Sequence, residues 1–287
     1  MKKILIAGAT GFIGSHLVKK LIQNNFELII LKRSYDKTDR IEKYLNSVKI
    51  YDIDKEGIER AFKENKVDMV INLVTNYGRD GQVLVSEIAE TNILFGLKLI
   101  ETAIKGHAKI YFNIDSSLKP EVNLYAYTKK VLKEIIKKYL ANKIKIINLQ
   151  LEYVYGENDD LSKFIPFVVE KLRNNEELKM SKGEQELDFI YVKDCVGAMA
   201  YIIKNAEKYK KNYEEFEIGT GKTTSLKNFV KAIKKELHSK SKIDFGGIPY
   251  RENEQMYSKA NIETLQPWQP RYSMDKAIKK IIFNRVK

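Results

Sequence analysis

The chain opens with Met1-Lys-Lys-Ile-Leu-Ile-Ala-Gly-Ala-Thr-Gly-Phe-Ile-Gly-Ser-His16, and this stretch decides its fold. The apolar run from Ile4 to Ala7 is typical of a buried parallel strand, and glycines follow at positions 8, 11 and 14. Apolar residues at helical spacing from Leu17 to Ile22 then predict an amphipathic helix. The alternative interpretation is an ordinary glycine-rich turn.

A strand, a glycine turn and a helix together can bind phosphate, because unpaired amides and the positive end of the helix dipole face the turn. The first glycine permits a tight turn, the second lets a pyrophosphate approach the backbone, and the third lets the helix pack closely on the strand. The sequence therefore predicts a dinucleotide site, whose turn residues are Gly8, Gly11, Phe12, Ile13 and Gly14.

Composition predicts a globular protein. The chain has 287 residues, 44% of them apolar and 31% charged, which is enough for one large domain or two smaller ones. Its apolar runs fall short of the roughly 18 residues that span a bilayer, and the first strand leaves no room for a signal peptide. The single cysteine, Cys195, cannot form an internal disulfide, so we expect a cytoplasmic location and a buried structural thiol. The three scattered histidines lack metal-ligand spacing, and we predict no metal.

The net charge of +13 raises the possibility of a nucleic-acid or membrane partner. The positive charge is mostly lysine mixed with glutamate along helix faces, as in residues 129–138, and such faces are typically solvated. We therefore predict neither partner, with part of the charge attracting a phosphorylated substrate.

Strand and helix signals alternate through the first half, which predicts an α/β fold with a doubly wound parallel sheet. The predicted strands cover residues 4–7, 26–31, 48–51, 67–74, 109–113 and 144–151, and the predicted helices 56–65, 83–105 and 125–140. The pattern loosens after Gly156. Beyond it we predict helices over 163–174 and 225–237, a strand, turn and helix over 188–200, a strand over 216–219 and an irregular C-terminal end.

These signals divide the chain into two predicted parts. A Rossmann domain covers 1–160 and is completed by about 186–220, and a smaller C-terminal substrate-binding lobe consists of 161–185 and 221–287.

The end of the second strand bears on the choice of cofactor. An acidic residue at this position binds the ribose hydroxyls of NAD, whereas arginine pairs with the 2′-phosphate of NADP. The strand ends in Lys32-Arg33-Ser34, with no acidic residue before Asp36. Lys32 and Arg33 therefore favour NADP over NAD, the alternative being a solvated basic loop.

Four further residues are predicted to contact the cofactor. Asp52 and Ile53 follow the third strand and are suitably placed for the adenine amino group and its apolar face. Leu73 and Thr75, at the end of the fourth predicted strand, complete the set.

The stretch Tyr125-Ala-Tyr-Thr-Lys129 places a phenol and an ammonium four residues apart on one helical face. A nearby cation stabilises phenolate and lowers the pKa of tyrosine, which suits a proton donor for a carbonyl that receives hydride. Tyr125 and Lys129 are thus the predicted catalytic pair, and both are expected to contact the cofactor.

With the glycine turn and this pair, three later motifs resemble the extended short-chain dehydrogenase/reductase family of nucleotide-sugar epimerases, dehydratases and reductases. They are Val154-Tyr-Gly156, Asp188-Phe-Ile-Tyr-Val-Lys-Asp194 and Trp268-Gln-Pro270. Four others resemble its CDP-abequose synthase branch: Thr75-Asn-Tyr-Gly-Arg79, Lys163-Phe-Ile-Pro166, Gly183-Glu-Gln185 and Arg251-Glu-Asn-Glu254. The branch implies NADPH-dependent reduction of a 4-keto group on a 6-deoxy nucleotide sugar, and the family implies a homodimer.

The resemblance also implies site residues. The substrate would contact Tyr77, Arg79, Lys163, Phe164, Arg251 and Glu254, with Glu254 on the nucleotide ribose. For Tyr77 and Arg79, local packing of the loop is the alternative.

The chain departs from the family pattern at two places. Ile114 stands where a serine or threonine usually bonds the substrate oxygen. We assign that role to Ser116, which would reach the oxygen from a shifted turn, and Ser117 is the alternative. Ser116 in turn replaces the glutamate that follows Asp115 in the dehydratases, which argues against dehydration. Leu187 replaces an arginine that commonly contacts diphosphate, so Arg251 would carry more of that contact.

Other functions remain possible at this point: an epimerase with tightly bound NAD(P), or a non-catalytic NADP-binding sensor or scaffold. Gly219-Thr-Gly-Lys-Thr-Thr224 resembles the end of an ATP-binding loop, but such a loop needs a glycine where Phe216 stands. We therefore reject a kinase or NTPase function.

Overall fold

The computed structural model describes residues 1–78 and 84–283. The chain forms two compact units, Met1–Gln150 with Met199–Phe216, and Leu151–Ala198 with Glu217–Lys287. Their boundaries differ from those of the predicted domains. Residues 151–160, 186–198 and 217–220, predicted to complete the nucleotide-binding domain, lie in the second unit.

The first unit is built on a seven-stranded parallel sheet. Its strands are β1 (Lys3–Ala7), β2 (Glu27–Lys32), β3 (Val48–Asp52), β4 (Met69–Asn72), β5 (Ile110–Ser116), β6 (Lys145–Leu151) and, after four short strands of the second unit, β11 (Tyr213–Ile218). Their order across the sheet is β3-β2-β1-β4-β5-β6-β11. Ile4 pairs with Leu28 of β2 and with Met69 of β4, so the strand before the glycine turn lies inside the sheet. This order confirms the doubly wound Rossmann fold predicted from the sequence.

Helices cover the sheet. They are α1 (Phe12–Gln23), α2 (Ile53–Glu64), α3 (Val85–Ala89), α4 (Phe95–Lys105) and α5 (Leu124–Tyr139), with a π-helix at Glu90–Leu94 between α3 and α4. Leu99 of α4 and Leu132 of α5 are fully buried in one core cluster with Leu5 of β1. Because the central strands are buried on both faces, they read as continuous apolar runs.

Several elements of the first unit differ from their predicted bounds. Strand β4 is shorter than the predicted 67–74, and β11 begins at Tyr213, three residues before its predicted start. The helix predicted from 56 begins at Ile53, since the carboxylate of Asp52 accepts from the Asp54 amide, and Gly57 kinks it with a φ of 71°. The helix predicted over 83–105 is divided by the π-helix, and residue 83 lies outside the described residues. Strand β5 continues three residues beyond its predicted end, to Ser116.

The second unit contains short strands and four helices, of which α7 runs on into the first unit. The elements are β7 (Tyr153–Tyr155), α6 (Phe164–Arg173), β8 (Leu178–Met180), β9 (Glu186–Leu187), β10 (Phe189–Tyr191), α7 (Val192–Asn205), β12 (Thr224–Ser225), α8 (Leu226–Glu236), β13 (Ile243–Phe245), β14 (Tyr257–Ser258) and α9 (Met274–Phe283). Phe189 stacks on Phe229 with ring centroids 4.3 Å apart, and Tyr155 meets Phe229 edge-on at 5.0 Å.

The predicted irregular C-terminal end is wrong from residue 274 onward, where α9 forms. Ala277, Ile278 and Ile282 of α9 are buried. The prediction relied on prolines, which interrupt regular structure. Pro267 and Pro270 precede α9 and do not interrupt it.

Within residues 1–78 and 84–283, no helix is long and apolar enough to cross a membrane. The same residues contain no group of three or more His, Cys, Asp or Glu side chains that could hold a metal ion. Cys195 is fully buried in α7, and burial raises the pKa of its thiol.

Candidate functional site

The turn after β1 requires glycine at two positions. Gly8 has a φ of 83°, and a Cβ there would lie 2.8 Å from the carbonyl carbon of Leu73. A Cβ on Gly14 would lie 2.1 Å from the carbonyl oxygen of Gly8, so only glycine lets α1 approach the turn this closely.

Gly11 differs, because the protein itself leaves room for a side chain there. A Cβ on Gly11 would have the Gly8 oxygen as its nearest neighbour, at 3.4 Å, which is an ordinary contact. Packing therefore does not explain this glycine, whereas a ligand lying against the backbone does. Phe12 and Ile13 are the first residues of α1, directly beyond Gly11.

The loop after β4 supplies a second feature that fits a bound ligand. The Leu73 amide donates to the carbonyl of Ala7 at 2.9 Å, which ties the loop to β1. Thr75 Oγ1 is buried and has no hydrogen-bond partner within the described part of the chain. Buried hydroxyls normally have partners. This hydroxyl and the space at Gly11 both fit a bound dinucleotide.

The cations at the end of β2 contact neighbours within their own loop. Lys32 Nζ donates to the Arg33 carbonyl at 2.7 Å. Arg33 Nη2 lies 3.4 Å from Asp36 Oδ1, its guanidinium lies 4.4 Å from the centre of the Tyr35 ring, and its side chain is 42% exposed. A pair this exposed contributes little to stability, so it holds the Arg33 side chain only weakly.

Asp52 is engaged by Ser34, a residue that the sequence analysis did not single out. The Ser34 hydroxyl lies 2.8 and 3.0 Å from the two carboxylate oxygens of Asp52. Burial raises the pKa of Asp52, but the Ser34 hydroxyl and the Asp54 amide outweigh it and lower the pKa overall. Ile53, the next residue, packs partly buried against the core of the first unit.

Tyr125 and Lys129 lie one turn apart near the start of α5, whose N-cap is Asn123. The Tyr125 ring packs against Tyr77, with centroids 4.7 Å apart. Lys129 is 3% exposed. Burial lowers the pKa of Lys129 to about 8, Asp115 opposes this shift, and Lys130 adds to it. A buried ammonium thus lies on the same helical face as the phenol.

Asn92 in the π-helix ties the Tyr77 loop to α5. Its Oδ1 accepts from the Asn76 amide at 2.7 Å, and its Nδ2 donates to the Asn76 carbonyl and to Thr128 Oγ1, both at 2.9 Å. Thr128 Oγ1 in turn donates to the Tyr125 carbonyl at 2.9 Å. Asn92 was not among the residues predicted from the sequence. Its only signal was a single amide within an apolar helix pattern.

Ser116 lies at the end of β5, two residues from Ile114. Successive strand side chains alternate between faces, so Ser116 is placed on the face of Ile114. Ser116 is 8% exposed, and its Oγ accepts from the Leu118 amide at 3.2 Å.

In the second unit, two of the predicted substrate contacts share a turn. The Glu254 amide donates to the Arg251 carbonyl at 3.2 Å, and Gln185 Nε2 donates to Glu254 Oε1 at 3.1 Å. Arg251 is exposed, and Oε1 of the buried Gln185 has no partner among the residues described. This pairing joins the Gly183–Gln185 and Arg251–Glu254 motifs.

The other predicted substrate contacts lie elsewhere. Lys163 precedes α6 and forms an ion pair with Asp159 at 2.7 Å. Phe164, the first residue of α6, is 40% exposed. Arg79 lies outside the described residues.

The turn that resembles an ATP-binding loop is occupied by the protein's own carboxylate. Asp188 is fully buried and accepts from the amides of Thr220 and Gly221 at 2.8 Å, from the Thr220 hydroxyl at 2.6 Å, and from the Ala260 amide at 3.3 Å. These amides are therefore not available to a nucleotide phosphate.

A glycine turn after a central parallel strand and a tyrosine–lysine pair on a later helix agree with the match of residues 4–219 to the model of the NAD dependent epimerase/dehydratase family. The chain belongs to this family. CDP-abequose synthase of Salmonella muenchen is 34% identical over 291 residues, covering 98% of this chain and 97% of that protein. This confirms the resemblance stated from the sequence.

Two further members of the epimerase/dehydratase family are similar over nearly their full length. The dTDP-4-dehydro-6-deoxyglucose reductase of Escherichia coli is 24% identical over 317 residues, covering 97% of this chain and 96% of that protein. The crystal structure of UDP-glucuronic acid 4-epimerase from Bacillus cereus, in complex with UDP-glucuronic acid and NAD, has a TM-score of 0.82 at 22% identity and covers 98% of both chains.

Proposed function

We propose that this protein reduces the 4-keto group of a nucleotide-activated 4-keto-6-deoxy or 3,6-dideoxy sugar with NADPH, in the synthesis of surface-polysaccharide sugars in the cytoplasm. The observation that carries the proposal is the buried Lys129 one helical turn from Tyr125, in the unit that also holds the open glycine turn. The names of two relatives, a CDP-abequose synthase and a dTDP-4-dehydro-6-deoxyglucose reductase, support this substrate class.

The cofactor would be held by residues of the first unit. The glycine turn from Gly8 to Gly14 would bind the pyrophosphate, Lys32 and Arg33 the 2′-phosphate, and Asp52 and Ile53 the adenine. Leu73 and the hydroxyl of Thr75, which has no partner among the described residues, would complete the site. When bound, NADPH supplies a hydride to the sugar carbonyl carbon.

The chain's own residues would manage the proton. Tyr125 donates its phenol proton to the carbonyl oxygen, and the ammonium of Lys129 stabilises the phenolate that remains. The Ser116 hydroxyl donates a hydrogen bond to the same oxygen, a task that the Ile114 side chain cannot perform. Tyr77, Arg79, Lys163, Phe164, Arg251 and Glu254 would bind the nucleotide sugar.

Replacing Tyr125 with phenylalanine tests the reaction. We expect Tyr125→Phe to lower kcat by about 10²- to 10⁴-fold, since it removes a general acid, while NADPH binding stays within about twofold. The assay follows NADPH consumption with CDP-, dTDP-, GDP- and UDP-linked 4-keto-6-deoxy sugars. Tyr127→Phe is the matched control, because Tyr127 lies on the same helix and is 55% exposed.

The outcomes separate the alternatives. Full turnover by Tyr125→Phe would refute the assignment of the proton donor. Protein that carries tightly bound NAD and interconverts nucleotide sugars without consuming reductant would be an epimerase. Absence of a thermal shift with every nucleotide sugar in the presence of NADPH would indicate a sensor or scaffold.

Replacing Arg33 with serine tests the choice of cofactor. We expect Arg33→Ser to weaken NADPH binding by about 10- to 100-fold, the effect of removing a charge-assisted contact, and to change NADH binding little. Lys37→Ser removes one exposed cation from the same loop and controls for the general loss of charge. Fluorescence titration measures both affinities. Equal losses of affinity for NADPH and NADH would show that Arg33 does not contact the 2′-phosphate.

A further inference from the structure

Asp115 is a buried carboxylate whose two oxygens are both engaged. Its side chain is fully buried in β5. Oδ1 accepts from the Ser116 amide at 2.8 Å, and Oδ2 accepts from Lys130 Nζ at 3.0 Å. Lys133 Nζ lies 3.8 Å from Oδ2, and Asn148 Nδ2 lies 3.5 Å from it. A carboxylate buried this deeply persists as a charge only when it is paired in this way.

Lys130 extends this network to the other side of Ser116. Its ammonium donates to the Ser116 carbonyl at 2.5 Å, and it lies 3.4 Å from Gln150 Oε1. The Ser116 N–H is bonded to Asp115, and the Ser116 C=O is bonded to Lys130. Both peptide groups that flank the Ser116 Cα are therefore fixed by one ion pair.

The Ser116 hydroxyl has a donor hydrogen that is not used within the described chain. Its oxygen accepts from the Leu118 amide. A hydroxyl also carries one donor hydrogen, and within the described chain no acceptor is bonded to it. With the backbone fixed on both sides, only the rotation of χ1 and of the O–H bond remains to aim that hydrogen at a ligand.

We propose that Asp115 and Lys130 are positioning residues that hold Ser116 so that its hydroxyl bonds the reacting sugar oxygen. This inference rests on the proposed function and explains how the site works with Ile114 in the usual hydroxyl position. It also assigns Asp115 to holding the backbone of Ser116 instead of to proton transfer, in agreement with reduction and against dehydration.

A double-mutant cycle tests the proposal. With the nucleotide sugar that the wild type reduces, we expect Ser116→Ala to lower kcat by about 10²-fold, as for one lost oxyanion donor. Lys130→Met is expected to lower kcat by about tenfold or more, with the KM for NADPH changed less than about twofold. Lys130→Arg should recover most of the loss, because a guanidinium can also donate to both Asp115 and Ser116.

The decisive measurement is the kcat of the double variant that carries both Ser116→Ala and Lys130→Met. If Lys130 acts through Ser116, Lys130→Met has no further effect on kcat in the Ser116→Ala background. If the double variant instead loses kcat by the product of the two single losses, the proposal is overturned. A Lys130→Met enzyme with wild-type kcat would also overturn it. Lys137→Met removes an exposed cation of the same helix and is the control.

Crystal structures give a readout independent of turnover. We expect the Ser116 backbone to move in Lys130→Met and to stay in place in Lys137→Met. An unmoved Ser116 in Lys130→Met would overturn the positioning role even if a substrate is reduced. If the wild type reduces no nucleotide sugar, the proposed function fails. The crystal structures still decide whether Lys130 holds the Ser116 backbone in position.

Discussion

Lys129 is an ammonium whose burial is unfavourable to the folded state. It is 3% exposed, and burial lowers the pKa of its ammonium from 10.5 to about 8, with Asp115 as the opposing charge. Between these two pKa values the unfolded chain binds a proton that the folded chain does not, so stability rises with pH from about 8 to 10.5. Below pH 8 the charged form destabilises the fold by about 3 kcal/mol. A destabilising buried ammonium of this kind agrees with the role proposed for Lys129 beside Tyr125.

Removing this charge should therefore stabilise the protein at neutral pH. We expect Lys129→Met to raise the free energy of unfolding by about 1 to 3 kcal/mol at pH 7, and by less than half of that at pH 9.5. Urea unfolding at the two pH values measures this difference. Lys137→Met, a change at an exposed position, should stay within about 0.5 kcal/mol of the wild type at both. A Lys129→Met protein less stable than the wild type at pH 7 would contradict this account of the lowered pKa.

At the scale of elements, the turn between β1 and α1 uses its glycines for different purposes. Gly14 is required by packing, because its Cβ would meet the Gly8 oxygen at 2.1 Å, whereas the Cβ of an alanine at position 11 would have room. The two positions can therefore separate the needs of the fold from those of the ligand.

Alanine substitutions make this comparison directly. We expect Gly11→Ala to change the free energy of unfolding by less than about 1 kcal/mol and to weaken NADPH binding at least tenfold, since the methyl group would occupy the ligand's space. Gly14→Ala should lower stability by about 2 kcal/mol or more, because backbone must move. Thermal unfolding with and without NADPH measures both effects. Undiminished NADPH binding by Gly11→Ala would mean that no ligand contacts this glycine.

Sequence patterns predicted the central strands β1, β2 and β4 because these strands are buried on both faces and read as apolar runs. The start of β11 was placed three residues too late, since Tyr213, Glu214 and Glu215 do not continue an apolar run. Patterns could not place the π-helix at Glu90–Leu94, whose apolar spacing over so few residues resembles that of an α-helix. Nor could they show that β5 reaches Ser116, since the burial of Asp115 in that strand depends on its pairing with Lys130 and Lys133, which lie on another element. Asn92 was missed for a related reason: its partners Asn76 and Thr128 are 16 and 36 residues away.

At the scale of the whole molecule, the first unit carries exposed apolar side chains on α3, the π-helix and α5. Leu84 precedes α3, and Val85, Leu94 and Tyr127 lie on α3, the π-helix and α5, each more than half exposed. Isolated exposed apolar residues are common, but a group on adjacent helices indicates an interface. We propose that these helices form a homodimer.

Charged substitutions test the dimer. We expect the wild type to sediment as a dimer and the double variant Leu94→Glu, Tyr127→Glu as a monomer, because two buried carboxylates would be desolvated at the interface. Tyr257→Glu is the control, since Tyr257 is 60% exposed and lies in the second unit. Analytical ultracentrifugation at micromolar concentration measures the association. A monomeric wild type would refute the proposal.

Asp188 shows that the Gly219–Gly221 turn does bind an anion, but one that the chain supplies itself. Such a resident anion is always present at full occupancy and cannot be competed away by cellular nucleotides. Backbone amides in this arrangement could bind a phosphate in another protein. Here they bind the Asp188 carboxylate, and the hydrogen bonds join residues 188, 220, 221 and 260. Replacing Asp188 with a neutral residue would therefore have two effects. It would weaken the second unit, and it would leave the Thr220 and Gly221 amides able to bind inorganic phosphate.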